Sequence, residues 1–298
     1  MMNLATSQTA KEPLLLAGKP VADALLSSIS TDFETFKRKN THIKTLPGLA
    51  VVQVGSNPAS QVYVNKKAKV AKELGFHSEI HRLPVETTQA DLLACLEALN
   101  ADANIHGVLL QLPLPSHLSA SELQAVILPE KDVDGFHPHN LGLLLAGQNP
   151  FSIPCTPAGV MRLLAHYQLS VAGKHAVVVG RSNIVGKPMA QLLLQADATV
   201  TICHSKTPDI EAITRQADIL VVAIGIPHWL KPSAVKPSAV VVDVGINRHP
   251  QTDKLVGDVD FEAVSPFCSA ITPVPGGIGL MTIAELMHNT WQNFIRLN

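Results

Sequence analysis

The sequence predicts an α/β protein of two domains, each built on a parallel sheet covered by helices. Three observations carry this reading. Short β-branched runs alternate with longer helical patterns along most of the chain. A stretch containing Gly142, Gly147, Pro150 and Pro154 breaks that rhythm near the middle. Beyond it, the apolar run His175–Val179 leads into Gly180 and a helical segment, the strand–turn–helix order that opens a dinucleotide-binding unit.

In the first half, period and residue type predict strands near 49–54, 78–83 and 107–111. Helices are predicted near 21–39, 58–74, 89–100 and 120–128. The domain boundary is placed at 142–154. The second half should open with a helix over 157–167, with Thr156 as N-cap and Pro157 at the first helical position. Strands follow at 175–179, 199–203, 219–223 and 239–243, with a helix over 187–195. The loop 272–279 is rich in Pro and Gly. Thr282-Ile-Ala-Glu285 then reads as a capping box starting a last helix that runs to Phe294.

Composition narrows the function. With 298 residues, 46% hydrophobic and 16% charged, the chain can bury a large core and lacks the signature of disorder. The 23 Lys and Arg balance 24 Asp and Glu, so there is no broad basic field for nucleic acid, and 4% aromatics offer few stacking platforms. Cys95, Cys155, Cys203 and Cys268 form no CxxC pair, which points to a reducing compartment and away from zinc or a disulfide framework. Residues 1–11 lack a signal-peptide pattern and no apolar run is long enough to span a bilayer, so a cytoplasmic protein without membrane attachment is expected.

The turn Gly180-Arg181-Ser182-Asn-Ile-Val-Gly186 departs from GxGxxG. Ser182 stands at the middle glycine, and Gly186 comes one residue late. A bare βα turn would read the same way. The next strand sharpens the choice, because NAD-binding units end it with an acid that holds the ribose 2′-OH. Here it ends in His204-Ser205-Lys206. With Arg181, these could surround a 2′-phosphate, favouring NADP; solvated surface charges are the plainer alternative.

In the first half, Tyr63 and Lys67 lie four apart on one helix face, with Ser60 a turn earlier and apolar Val70, Ala71 and Leu74 beyond. An inward lysine is costly unless paired or neutral. A snorkelling lysine whose head reaches water also satisfies the pattern. Lys66, Lys69 and Lys72 read as surface lysines. Gln111 ends an apolar strand, where α/β sheets bind ligands, although a loop-capping amide would sit there equally well. Asp132 and Asp134 share a turn-forming loop, and a turn role explains only one of them. His137 and His139 lack a third ligand, so no metal is expected.

Taken in order, Tyr63-Val-Asn-Lys-Lys67, Gly107-Val-Leu-Leu-Gln111-Leu-Pro-Leu-Pro115, Pro129-Glu-Lys-Asp-Val-Asp134-Gly-Phe, Pro154-Cys-Thr-Pro157, Gly180-Arg-Ser-Asn-Ile-Val-Gly186-Lys-Pro188, Val242-Asp-Val-Gly-Ile-Asn247 and Ile271-Thr-Pro-Val-Pro-Gly-Gly277 closely resemble the bifunctional methylenetetrahydrofolate dehydrogenase/methenyltetrahydrofolate cyclohydrolase family. The resemblance implies NADP-dependent oxidation of 5,10-methylenetetrahydrofolate, then hydrolysis to 10-formyltetrahydrofolate. It implies a three-layer catalytic domain over 1–149, with the C-terminal helix 281–298 packed back on it. A Rossmann-type domain over 150–280 would face it across a central cleft, and the enzyme would be a homodimer. The implied catalytic residues are Lys67, Tyr63, Gln111 and Asp134. Gly180, Arg181, Ser182, His204, Ser205 and Ile246 would bind the cofactor. Tyr63, Asp134, Pro275, Gly276 and Gly277 would bind the folate, Tyr63 by stacking and Asp134 through the pterin amino and N3–H groups. Lys67 beside a cationic substrate would lose its proton more easily and help activate water, with Gln111 orienting it. Leu280 stands where the family usually has proline, which removes a φ constraint. A dehydrogenase alone, or a silent dinucleotide-binding relative, would not need Lys67, Gln111 and Asp134 together.

Overall fold

The computed structural model describes residues 12–249 and 251–298; the reading of 1–11 as lacking a leader lies outside them. After a two-residue strand β1 (Leu14–Leu15) and a long helix α1 (Gly18–Lys39), three βα steps follow. They run β2 (Gly48–Val54), α2 (Pro58–Glu73), β3 (His77–Leu83), α3 (Gln89–Ala101), β4 (Gly107–Leu110) and a short α4 (Ala120–Gln124). The three strands form a parallel sheet in the order β3-β2-β4. Every residue of β2 is buried, the continuous apolar pattern of a strand covered on both faces. Leu49 and Val51 face a core shared with α1 and α2, while Ala50, Val52 and Val54 face Leu92, Leu96 and Leu99 of α3.

Two further helices, α5 (Pro138–Leu145) and α6 (Cys155–His166), lead to the second sheet. It contains β5 (His175–Val179), α7 (Gly186–Gln195), β6 (Thr199–Cys203), α8 (Ile210–Thr214), β7 (Ile219–Val222) and β8 (Ala239–Asp243). A small antiparallel ribbon of β9 (Asn247–Arg248) and β10 (Leu255–Val256), then α9 (Phe261–Val264), β11 (Cys268–Ile271) and the last helix α10 (Ile278–Leu297), complete the chain. The parallel order is β1-β11-β8-β7-β5-β6, so the direction of winding reverses between β5 and β7. A crevice at the carboxyl ends of those two strands is where such sheets take ligands.

The structure corrects several expectations. Leu14–Leu15 pairs with Ala270 and Ile271, so the first residues described here belong to the second sheet, across the expected boundary. The helix over 120–128 stops at Gln124, and α5 occupies the start of the segment read as a linker. Thr156 does not cap α6, which begins at Cys155 behind Pro154. The capping box also fails, because α10 starts a turn earlier, behind Gly277. Thr282 Oγ1 instead meets Thr156 Oγ1 at 2.9 Å, and Glu285 turns inward to Arg162 of α6. A capping motif needs a free helix end, and these residues sit inside one.

α10 packs on α1 and α6. Few as they are, the aromatics concentrate here: Trp291 lies 5.5 Å from Phe33 and 5.6 Å from Phe36, ring centre to ring centre, and 5.6 Å from Phe294. Glu285 is only 2% exposed, and Arg162 meets both its oxygens. Removing one partner of such a pair strands the other charge. Arg162 is itself 39% exposed, so water reaches part of the site, and Arg162→Met should lower stability by about 1 to 2 kcal/mol, seen as a lower urea midpoint with an unchanged m-value.

Candidate functional site

The first group of side chains is built on α2 and on the carboxyl end of β4. Asn57 Oδ1 accepts the Ser60 N–H and Pro58 opens the helix, so α2 starts at a defined point and carries Tyr63 and Lys67 on one face. Lys67 does not snorkel. It is 8% exposed, and its Nζ donates to Gln111 Oε1 at 3.1 Å. Gln111 Nε2 donates to the Leu112 carbonyl at 2.7 Å, which turns the amide oxygen toward the lysine. The Gln111 N–H extends the ladder to the Val52 carbonyl, fixing its height in the sheet.

The acid loop divides its labour. Asp132 accepts from the Gly135 N–H at 3.0 Å, the His137 N–H at 2.8 Å and Asn140 Nδ2 at 2.9 Å. It is the turn-forming acid. Asn289 of α10 holds the Val133 carbonyl at 2.9 Å from the other side. Asp134 is left partly exposed between these clamps. Loss of water pushes its carboxyl up to about 6, against the pull of the nearby Lys67 charge and with a further push from Asp132. Lys67, Gln111 and Asp134 thus converge from three segments.

A cleft runs from Tyr63 to the loop before α10, with Pro275, Gly276 and Gly277 on its far wall. Burial raises the Tyr63 phenol above its ordinary pKa. Ile246 lines this cleft and not the pocket around Gly180. Lys66, read as a surface lysine, also stands on the cleft wall. Leu280 lies in the first turn of α10 and donates its N–H to the Gly277 carbonyl at 3.3 Å, a bond that proline could not make.

A second pocket gathers Gly180, Arg181, Ser182, His204 and Ser205 at the β5–β7 crevice. Gly180 has φ +128°, and a Cβ there would lie 2.4 Å from the Ala223 carbonyl oxygen. Only glycine lets the two strand ends approach this closely. Ser182 Oγ accepts from the Val185 and Gly186 N–H groups at 3.1 and 3.3 Å, closing the turn in place of the missing glycine. His204 Nδ1 accepts the Lys206 N–H, and the Lys206 side chain does not line the pocket. Arg181 is exposed at its rim. The glycine cradle, helix start and nearby cation fit a dinucleotide with a 2′-phosphate.

Sequence reasoning passed over Trp229 and Thr207, which line this pocket, and the buried acids Asp243 and Asp258. Asp243 accepts three backbone N–H bonds, yet desolvation still pushes its carboxyl up to about 7. Among the described residues the four cysteines are free and no His, Cys, Asp and Glu cluster could hold a metal. No described helix is long and apolar enough to cross a membrane.

Two parallel sheets, a crevice at the β5–β7 switch and a buried lysine–amide pair define a two-domain α/β protein of the dinucleotide-dependent class. Residues 16–134 match the catalytic domain of tetrahydrofolate dehydrogenase/cyclohydrolase, and residues 154–297 match its NAD(P)-binding domain. The chain belongs to the tetrahydrofolate dehydrogenase/cyclohydrolase family. It is 50% identical over 294 residues to a bifunctional protein FolD from Chlorobium phaeobacteroides, covering 95% of this chain and 98% of that one. It is similar to the crystal structure of the bifunctional FolD dehydrogenase/cyclohydrolase from Campylobacter jejuni, with TM-score 0.90, 48% identity and coverage of 95% and 99%. The Trypanosoma brucei FolD complexed with NADP cofactor and inhibitor gives TM-score 0.91 at 37% identity, covering 96% of this chain and 98% of that one.

Asp134 has a testable signature. A carboxyl whose pKa is raised by folding favours the folded state while protonated, fully below about 3.8 and less as pH rises through about 6. Asp134→Asn should therefore melt close to wild type near pH 4 and above wild type near pH 8. Melting curves across that range check it; a difference that shrinks as pH rises would contradict the sign.

Proposed function

We propose that this chain oxidises 5,10-methylenetetrahydrofolate with NADP+ and hydrolyses the resulting 5,10-methenyl compound to 10-formyltetrahydrofolate in one cleft. The observation that carries this reading is the buried Lys67 Nζ–Gln111 Oε1 bond, made beside Asp134 in a chain that also carries the pocket around Gly180. The names of the FolD relatives support both activities.

When bound, NADP+ supplies the hydride acceptor. Gly180, Arg181, Ser182, His204 and Ser205 would hold it, Arg181 serving the 2′-phosphate and Ile246 the cleft side. Tyr63 offers its ring face to the folate. Pro275, Gly276 and Gly277 form the opposite wall, and the Asp134 carboxylate accepts from the pterin amino and N3–H groups. For hydrolysis, Gln111 orients a water toward the methenyl carbon, and Lys67, as the neutral amine that a cationic substrate favours, takes one proton from it and hands it to N5. The bond from that carbon to N5 then breaks and the formyl group stays on N10. Lys67 is placed for this role because its Nζ is buried and held 3.1 Å from Gln111 Oε1.

The catalytic unit lies within 1–149 with the helix 281–298 packed on it, and 150–280 form the nucleotide unit, to whose sheet Leu14–Leu15 add a strand. The aromatic packing between α1 and α10 supports that division. The enzyme works as a homodimer in the cytoplasm. Leu194 and Ile202, exposed beside the edge strand β6, support a second copy there, and four free cysteines support a reducing compartment.

The test follows NADPH formation and methenyl decay separately in the purified protein. Wild type should do both. Lys67→Met should lose hydrolysis of supplied methenyltetrahydrofolate while NADP+ binding stays near wild type; hydrolysis at the wild-type rate would remove Lys67 from the mechanism. Arg181→Ala should raise KM for NADP+ by roughly tenfold, the worth of one charged hydrogen bond, and leave KM for NAD+ much less affected. An equal rise for both would dismiss 2′-phosphate recognition.

A further inference from the structure

Asp258 is completely buried, and its carboxylate serves as a junction. Oδ2 accepts from the Ile224 N–H at 2.7 Å and the Gly225 N–H at 3.0 Å, both just beyond β7. Oδ1 accepts from the Ile226 N–H at 2.9 Å and from Asn247 Nδ2 at 2.8 Å. Ile224 and Ile226 line the nucleotide pocket, whereas Ile246 and Asn247 line the cleft that Tyr63 shares. The two walls therefore hang on one side chain. Gly245 also packs directly on it, since a Cβ there would come within 2.2 Å of Asp258 Oδ1. The backbone that carries this carboxylate is fixed as well, because Asp243 accepts the Asp258 and Val259 N–H groups at 3.0 and 2.9 Å.

We propose that Asp258 is a positioning residue for hydride transfer, holding the nucleotide-pocket loop 224–226 in register with the substrate-cleft segment 245–247. This rests on the functional reading above. Hydride transfer needs donor and acceptor carbons aligned at close range, and small misplacements are costly in rate. Hydrolysis needs no such register between the two walls. The side chains assigned to it stand on α2, on the end of β4 and in the loop behind it, and none of them bonds to Asp258.

Asp258→Asn keeps the shape but replaces one acceptor oxygen with a donor that faces backbone N–H groups, so that side of the junction cannot be satisfied. The expected result is a fall of about tenfold or more in dehydrogenase kcat/KM for NADP+, with cyclohydrolase turnover on saturating methenyltetrahydrofolate kept. Asn247→Ala, which removes only the side-chain arm, should give a smaller fall with the same split. NADPH binding is read independently by energy transfer from Trp229, the tryptophan in the nucleotide pocket. A split between the two activities supports the proposal. Equal losses in both, or no loss in either, overturn it. If Asp258→Asn does not fold, Asn247→Ala decides by the same criterion. If wild type shows neither activity, the functional reading fails; weaker NADPH binding in the variants would then still support the junction, and unchanged binding would overturn it.

Discussion

The loop that carries Asp134 and the cleft wall at Pro275–Gly277 are both referred to the burial of one helix, α10, against α1 and α6. Trp291 and Phe294 fill the space beside Phe33 and Phe36, and each aromatic buried there contributes on the order of 2 to 3 kcal/mol. The Arg162–Glu285 pair fixes the rotation of α10 against α6. Asn289, on the same helix, clamps the loop that carries Asp134. Because α10 begins immediately after Gly277, anchoring it also anchors the wall of the cleft. The contact reaches back to the start of the described chain: the Gly18 N–H donates to the Gly276 carbonyl at 2.8 Å, and a Cβ on Gly18 would lie 2.1 Å from the Gly277 oxygen. One packed element thus sets the distance between a wall from one sheet and a wall from the other.

The loops at the strand ends are held by a different device. Asp132, Asp243 and Asp258 are almost wholly buried, and each spends its oxygens on backbone N–H groups that no strand ladder satisfies. A buried carboxylate is expensive, and several N–H donors offset much of that cost. Asp134 is the contrasting case. It has the same residue type two positions from Asp132, and the folded chain leaves its carboxyl partly exposed beside the Lys67 charge, with a raised pKa.

The departure at Leu280 is absorbed locally. In the first turn of a helix a proline would fit, since its missing N–H is among those left free there. Leucine uses that N–H to close the turn onto Gly277, so this loop is restrained by a hydrogen bond where the family proline restrains φ. The side chain contributes to the cleft wall.

Much of this protein was legible in the residues alone, where the decisive physics is local. The alternation of apolar runs and helical periods specified the parallel sheets. The turn at Gly180 was readable because a positive φ next to a close strand end demands glycine. The face shared by Tyr63 and Lys67 followed from the helical repeat. Tertiary structure decided what depends on residues far apart in sequence. Lys67 was paired and not snorkelling because Gln111, 44 residues away, ends a neighbouring strand at the right height. Thr282 and Glu285 spelled a capping box, but α10 began earlier and gave them to α6. Which of the two acids would turn the loop was settled by Asn140 and by the N–H groups of Gly135 and His137 folding onto Asp132. Asp258 carried no signal at all, since an acid becomes a junction only when loops from two strand ends meet around it. Sequence determines periodicity and backbone strain within a few residues; desolvation and the choice of hydrogen-bond partner exist only after the chain has closed.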